Sequence, residues 1–312
     1  MNQKQAQRRA LLGGTMGLAV GGLLAGPAAA ASASAEDAAV TSIRRMRIPR
    51  TGELLPVVGL GTSRTFDRDP AGDHPDLEAV LARFLAWGGS LVDSSPMYGK
   101  AEAMVGALSG RLGREDIFYA TKVWTKDGKQ AGIDQMQRSG ELMGTPRFDL
   151  MQVHNLVGLE EHLPTLEGWR EEGRVRYIGV TEMRDFATVE RLIKSGVLDF
   201  VQVPYSATDR RMEERILPAC LDHGVAALIM RPYQKGDLFG LVKDKQLPGW
   251  AADFGATSWG QLFLKFILGH PSSPIPIPAT TKPHHLDDNM AAGVGPALDE
   301  AARARLVAIL EA

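Results

Sequence analysis

Four side chains of the types used in proton transfer follow three consecutive apolar runs of the sequence. Asp93 and Tyr98 follow the first run, Lys122 ends the second and His154 ends the third. A tyrosine has a pKa of about 10 and is a poor acid near neutral pH unless its phenolate is stabilised. A nearby ammonium would provide that stabilisation, and a carboxylate would hold the ammonium charged and oriented. The pattern therefore predicts Tyr98 as general acid, Lys122 as its tuner, Asp93 as the orienter of Lys122 and His154 as a donor to the substrate oxygen.

Three of the four residues, taken alone, also have a structural explanation. Asp93 is typical of a turn, Lys122 of a solvated strand end and His154 of a hydrogen-bonded rim. Their joint occurrence after consecutive strands favours catalysis. None of them can carry a hydride, so the chemistry requires a cofactor. No metal site is expected, because one His and one Asp beside a lysine make a poor ligand set.

The positioning elements are predicted by a repeated strand and helix pattern. Apolar runs end near residues 62, 93, 122, 154, 181, 203, 230 and 278, with an insertion at 232–250. Eight such units close most naturally into a (β/α)8 TIM barrel, an α/β fold in which the carboxyl ends of the strands share one mouth. A β-hairpin over 43–58 precedes the barrel as a lid or plug, and a closing helix over 299–310 follows it.

Composition limits the classes of partner. The chain has 312 residues and a formal net charge of -2, which gives no basic excess for nucleic-acid binding. The single cysteine, Cys220, excludes an intrachain disulfide and lies in an apolar helical pattern that favours a buried structural thiol.

The first 35 residues are predicted to be a signal peptide that is removed on export. They combine a basic start, a small-apolar middle and an Ala-x-Ala end, with cleavage expected after Ala33 or Ala35. The paired Arg8 and Arg9 resemble a twin-arginine signal, read by the twin-arginine export machinery; a Sec signal or an uncleaved anchor is the alternative. No later segment has the roughly 20 apolar residues of a membrane span. We therefore expect one mature domain over 36–312 in the periplasm or outside the cell.

The ordered motifs of the mature chain resemble those of the aldo-keto reductase family. They are Leu55–Thr62, Asp93–Gly99, Ala120–Trp124, Gln152–Asn155, Ile178–Thr181, Gln202–Ser206 and Ile277–Asn289. The resemblance implies a (β/α)8 barrel that binds NADP(H) without a Rossmann fold and reduces aldehydes or ketones. It assigns the catalytic roles to the same Asp93, Tyr98, Lys122 and His154.

The resemblance also implies a set of cofactor-binding residues. Those near the nicotinamide are Thr62, Asp93, Thr181, Gln202 and Tyr205, with Tyr205 stacked on the ring. Arg231 begins the loop expected along the pyrophosphate. Those around the adenosine end are Thr280, Lys282, His285, Asp288 and Asn289. Lys282 and Thr280 favour NADP over NAD, at a helix start suited to phosphate.

Two positions depart from the family pattern. The chain has Thr181-Glu182 where the family usually has Ser-Asn. A glutamate can accept from the carboxamide NH2 of the nicotinamide but cannot donate to its oxygen, so ring binding is expected to be altered. His285 stands where many members have an arginine, which makes contact with a 2'-phosphate dependent on pH.

The sequence says least about the substrate. Phe66, Trp124, Tyr233 and Trp250 are candidates for an aromatic pocket over the mouth, although Phe66 and Trp124 can equally pack loops in place. A neutral carbonyl compound is favoured, because no arginine is clearly aimed at a carboxylate. The alternative to an enzyme is a non-catalytic, nucleotide-binding or regulatory barrel, which Glu182 and export favour.

Overall fold

A computed structural model describes residues 43–112 and 116–312, so the proposed signal peptide at 1–35 lies outside the described residues. Its strands are β1 (Arg45–Arg47), β2 (Leu54–Pro56), β3 (Leu60–Gly61), β4 (Leu91–Asp93), β5 (Phe118–Val123), β6 (Phe148–Val153), β7 (Val175–Thr181), β8 (Phe200–Pro204), β9 (Ala226–Met230) and β10 (Ile275–Pro276). Its α-helices are α1 (Pro75–Ala86), α2 (Ala101–Leu112), α3 (Gly128–Met143), α4 (Leu159–Glu171), α5 (Phe186–Lys194), α6 (Ile216–His223), α7 (Asp237–Leu241), α8 (Trp259–Leu268), α9 (Pro283–Ala291) and α10 (Glu300–Glu311).

Strands β3 to β10 form one parallel sheet in sequence order, and the sheet closes on itself. The backbone N–H of Gly59 donates to Pro276 O at 3.0 Å, and that of Gly61 donates to Pro278 O at 3.1 Å. A Cβ atom at Gly61 would lie 2.6 Å from Ile277 O, so only glycine allows the two strands to approach this closely. The predicted (β/α)8 TIM barrel, with its N-terminal hairpin and closing helix, is confirmed.

The barrel interior is filled by side chains at alternate strand positions. Leu91, Leu150 and Phe200 belong to an apolar cluster that also includes Ile48 and Leu55 of the hairpin. The hairpin formed by β1 and β2 therefore plugs the amino-terminal end of the barrel. The carboxyl ends of the strands remain available for a site.

Ionic contacts fasten this plug to the barrel. Arg50 donates to Gly196 O at 2.7 Å and to Leu198 O at 3.0 Å, and it pairs with buried Asp199. The hairpin is thus held both by its apolar side chains and by a charged contact.

Some element boundaries differ from those predicted. The first barrel strand is shorter than 57–62, because the N–H of Val57 donates to Arg44 O within the hairpin instead. The last strand stops at Pro276, since prolines cannot donate to a ladder. The insertion carries α7, and Asp299 caps α10 by accepting from the N–H of Ala302.

None of the helices in the described part of the chain is long and apolar enough to cross a membrane. Cys220 is buried on α6, and burial raises the pKa of its thiol to about 12. The interpretation of Cys220 as a structural thiol is confirmed.

Candidate active site

A buried ion pair lies at the carboxyl ends of β4 and β5. Lys122 Nζ donates to Asp93 Oδ2 at 2.7 Å and to Ser94 O at 2.5 Å. Lys122 is 0% exposed and Asp93 is 2% exposed. Burial by itself lowers the pKa of Lys122, but Asp93 and Tyr98 outweigh burial and the net pKa is raised. The lysine is therefore a charged group held in one orientation.

The other oxygen of Asp93 is held by two glutamines that reach it across the barrel interior. Gln202 Nε2 donates to Asp93 Oδ1 at 2.9 Å, and Gln152 Nε2 donates to the same atom at 3.3 Å. Both glutamines are buried, and they occupy inward positions two residues beyond the apolar layer on β8 and β6. Asp93 is thereby fixed at both oxygens.

Tyr98 is carried by a turn that follows β4. Its backbone N–H donates to Ser95 O at 2.9 Å, and Lys122 Nζ lies 5.0 Å from the centroid of its ring. Gly99 continues the chain at φ 61°, where a Cβ would collide with the carboxylate of Asp67. This glycine lets the turn close over Asp67 and so sets the position of the phenol.

Tyr98 keeps its proton at neutral pH in this arrangement. Burial raises the pKa of Tyr98, and the charge of Lys122 lowers it without cancelling the increase. The sequence predicted the direction of the lysine effect, but it did not predict the larger effect of burial. Tyr98 therefore stands ready as a proton donor.

His154 lies beside the phenol. The two rings are perpendicular with centroids 5.9 Å apart, and His154 Nδ1 lies 3.0 Å from Ser95 Oγ. Burial, and then the charge of Lys122, lowers the pKa of His154 to about 3. The imidazole is therefore neutral and offers one N–H. The four predicted catalytic residues are thus brought together around one point of the mouth.

Three of the residues predicted near the nicotinamide also line this region. Thr62 is buried, and its hydroxyl donates to Asp93 O at 2.9 Å. Thr181 is buried at the end of β7 and accepts from the N–H of Asn155 at 3.0 Å. Thr181 is in register with Gln202, which contacts Asp93 directly, so polar side chains line this part of the mouth.

Tyr205 lies elsewhere, which contradicts the expectation that it stacks on a nicotinamide ring. Its side chain is 0% exposed, and its hydroxyl contacts Glu213 and Arg303. The reason is the two-residue period of a strand: Gln202 points inward, so a residue three positions later points outward toward the helices. Tyr205 instead ties the end of β8 to α10.

The residues predicted for the adenosine end cluster around α9. Lys282 is the N-cap residue, and His285 follows in the first turn. Burial lowers the pKa of His285, and His284 and Lys282 lower it further. Thr280 Oγ1 accepts from the N–H of Lys282 at 3.0 Å. These residues lie together at the start of α9.

Asp288 and Asn289 also have structural contacts. Asp288 accepts from Ser258 Oγ at 2.7 Å and from Gln261 Nε2 at 2.8 Å, which joins α9 to α8. Asn289 Oδ1 accepts from the hydroxyl of Tyr233 at 2.6 Å. Tyr233 therefore contacts the predicted adenosine end, whereas the sequence suggested the substrate pocket.

The three remaining pocket candidates, and Arg231 of the loop predicted along the pyrophosphate, differ in exposure. Phe66 is 0% exposed and packs in the core, so it fits the alternative of a loop-packing residue. Trp124 is 39% exposed two residues beyond Lys122, at the mouth. Trp250 is half-buried against Phe254 in the insertion. Arg231 is exposed and has a left-handed backbone at φ 54°.

One carboxylate oxygen of Glu182 is hydrogen-bonded within its own loop. Its Oε1 atom accepts from the backbone N–H groups of Met183 and Arg184, both at 2.7 Å. The side chain is 8% exposed beside Thr181. The departure from the family pattern thus stabilises its own loop.

Sequence reasoning missed Gln152 and Ser95 as parts of the site. The detectable signal for Gln152 was a polar residue at an inward position of a buried strand. Ser95 gave none, because a serine before a proline is ordinary turn chemistry. Among the described residues there is no cluster of three or more His, Cys, Asp or Glu side chains suited to a metal ion.

A closed eight-stranded barrel with a buried lysine–aspartate pair, a tyrosine and a histidine at its mouth defines the class of protein. A profile of the Aldo/keto reductase family matches residues 57–311, and the chain belongs to this family. The NADH-specific methylglyoxal reductase of Escherichia coli (strain K12) is 28% identical over an alignment of 189 positions that covers 52% of this chain. The aligned part spans only 58% of the length of that enzyme.

Other relatives cover more of the chain. Probable aldo-keto reductase 1 of Glycine max is 28% identical over an alignment of 266 positions that covers 72% of this chain and 76% of that protein. An aldo-keto reductase from Klebsiella pneumoniae, solved in complex with NADPH, superposes with a TM-score of 0.73 at 23% identity. That match covers 85% of this chain and 94% of the other, and it supports the fold.

Proposed function

We propose that this protein reduces an aldehyde or ketone to an alcohol, with NADP(H) as the hydride source and Tyr98 as general acid. The observation that carries the proposal is the fixed order of Asp93, Lys122 and the Tyr98 phenol. Membership of the aldo/keto reductase family supports carbonyl reduction in general.

The chain's own residues account for the proton. Tyr98 and the neutral His154 donate hydrogen bonds to the carbonyl oxygen and polarise it. As negative charge develops on that oxygen it becomes more basic than a phenolate, so the proton moves from Tyr98 to the product. The phenolate left behind lies beside the Lys122 ammonium, which stabilises it. Asp93 keeps the ammonium in place throughout.

Several features of the chain fit a phosphorylated nicotinamide cofactor, which when bound supplies the hydride. The N-terminus of α9 has no side-chain cap, and its positive dipole end, with Lys282 and His285 beside it, suits a phosphate. Thr181 and Gln202 offer hydrogen-bonding groups near Asp93 for the carboxamide end. Solved relatives bound to NADP and NADPH agree with this choice. The NADH-specific relative makes NADH the necessary comparison.

The test is cofactor oxidation with a panel of neutral aldehydes and ketones that includes methylglyoxal. We expect turnover with NADPH, and a loss of at least about 100-fold in kcat for Tyr98→Phe. Thr145→Ala, on the opposite side of the barrel from the mouth, serves as the matched control. Absence of turnover in the parent protein, or a Tyr98→Phe variant as active as the parent, would refute the proposal.

A non-catalytic nucleotide-binding barrel is the second candidate. Glu182 favours it, because a carboxylate engaged with its own loop offers no donor to a carboxamide oxygen. Nucleotide binding without turnover on any substrate of the panel would support this alternative.

We propose further that residues 1–35 direct export through the twin-arginine machinery, which leaves the mature protein in the periplasm or outside the cell. Arg8 and Arg9 before a small-apolar segment support this route. Replacing both by lysine should retain the protein in the cytoplasm. Unchanged export of the doubly substituted protein would exclude the twin-arginine route.

A further inference from the structure

Ser95 contacts both of the groups proposed to face the substrate. Its backbone oxygen accepts from the N–H of Tyr98 at 2.9 Å, which forms the turn that carries the phenol. Its hydroxyl oxygen lies 3.0 Å from His154 Nδ1 and accepts from the N–H of Met97 at 3.2 Å. The side chain is 0% exposed, so water does not replace these partners.

The other hydrogen bonds of the Ser95 hydroxyl decide whether it donates to His154 or accepts from it. A hydroxyl has one proton and two lone pairs, and the N–H of Met97 uses one lone pair. Within the described residues, His154 Nδ1 is the only acceptor within reach of the hydroxyl proton. If Nδ1 carried a hydrogen, Ser95 would accept twice and bury its own proton unpaired, which is unfavourable.

The direction matters because the imidazole is neutral. A neutral imidazole has one N–H, and the partner of one ring nitrogen decides which nitrogen carries it. His154 Nε2 makes no hydrogen bond to any residue that the structure describes. A proton on Nδ1 would therefore leave the mouth facing a lone pair, which repels a carbonyl oxygen.

We propose that Ser95 is a positioning residue that donates its hydroxyl proton to His154 Nδ1 and so fixes the imidazole as the Nε2–H tautomer. One serine then places the phenol through its backbone and orients the second donor through its side chain. The role of the Nε2–H group as donor to a substrate oxygen rests on the proposed function, whereas the tautomer itself does not depend on turnover.

The test is ¹⁵N NMR of histidine-labelled full-length protein, in which the two ring nitrogens report the tautomer directly. The chain has 7 histidines, and the His154 signals are assigned by their loss in His154→Gln. We expect a protonated Nε2 and an unprotonated Nδ1 at neutral pH. In Ser95→Ala the Nδ1–H tautomer should become populated, and Ser95→Thr, which keeps the hydroxyl, should restore the parent pattern.

The matched control is Ser139→Ala, which removes another buried serine hydroxyl that donates to Glu102 at 3.1 Å. It should leave the His154 signals unchanged. In turnover, Ser95→Ala should lower kcat about threefold to thirtyfold, less than the full loss of a transition-state donor, with KM for the cofactor little changed. If Ser95→Ala lowered stability alone, it would change neither the tautomer of His154 nor kcat.

Two results would overturn the proposal: an Nδ1–H or doubly protonated His154 in the parent protein, or an unchanged single tautomer in Ser95→Ala. If Ser95→Ala does not fold, the parent and Ser95→Thr spectra decide, since both must show Nε2–H. Absence of turnover would refute the proposed function but would leave the tautomer measurement valid. The two ideas can therefore fail separately.

Discussion

The buried pair of Lys122 and Asp93 can be tested by removing each charge and then both. Lys122→Met deletes the ammonium and leaves a carboxylate that is 2% exposed. Asp93→Asn keeps the shape of that side chain and leaves the ammonium without an anionic partner, while Ser94 O still accepts from it. The double variant removes both charges.

The expected magnitudes follow from the burial of both partners. Breaking a buried ion pair by removing one partner costs about 3 to 5 kcal/mol, because an uncompensated charge remains. In Lys122→Met, the amides of Gln152 and Gln202 still donate to the carboxylate and favour the lower end of this range. In a chain of this size, such a loss lowers Tm by roughly 6 to 20 °C. The double variant should be more stable than the sum of the single losses predicts, by about 2 to 3 kcal/mol.

The assay combines urea unfolding with cofactor oxidation. All three variants should lose at least about 100-fold in kcat, because none of them keeps the charged pair that tunes Tyr98. Removing both charges restores stability but does not restore this tuning. Glu53→Gln is the control: it removes one charge from the pair with Arg176, whose side chains are about 30% exposed, and should cost roughly 1 kcal/mol or less. Additive stability losses, or an active double variant, would refute the reasoning.

Four further outcomes are expected. The pKa of His285 is lowered, so this side chain should gain its charge only as the pH falls below about 6.5. The affinity for NADPH, but not for NADH, should then rise, as measured by fluorescence titration; parallel pH curves for the two cofactors would contradict this. Glu182→Gln keeps an oxygen for its loop and gains a donor, so NADPH should bind about fivefold more tightly; unchanged affinity would remove Glu182 from the ring site. Arg50→Met should lower the free energy of unfolding by about 1 to 3 kcal/mol through its lost contact with Asp199, with kcat unchanged; a changed kcat would show that the plug affects the mouth. Lys265→Met removes the donor to two loop carbonyls, so hydrogen exchange in residues 293–298 should accelerate; unaltered exchange would show that the lysine does not hold this loop.

The sequence predicted the barrel because its signals are local and repeated. Each strand is a short apolar run, each helix has its own periodicity, and eight units leave little choice of topology. The four catalytic candidates were predictable for the same reason, since every one lies at or just beyond a strand end. Strand lengths were less predictable: β3 lost residues to the hairpin, a competition that only the three-dimensional arrangement reveals.

The directions of individual side chains could not be predicted from local sequence patterns. Tyr205 directly follows β8, and only a strict count from Gln202 shows that it faces the helices. Tyr233 lies in an insertion without periodicity, so nothing in the sequence indicated its contact with Asn289. The net pKa of Tyr98 likewise depends on burial, which a motif does not encode.

Asp93 links the stability of the barrel to the chemistry at its mouth. It belongs to β4, whereas Gln202 belongs to β8, four strands further along the closed sheet and so on the opposite wall. The bond between Asp93 Oδ1 and Gln202 Nε2, at 2.9 Å, therefore spans the interior, while Oδ2 holds Lys122. A shift of either wall would move the carboxylate and with it the ammonium beside the phenol. Because the apolar layer below fixes both walls, the same packing that closes the barrel also orients the proton donor.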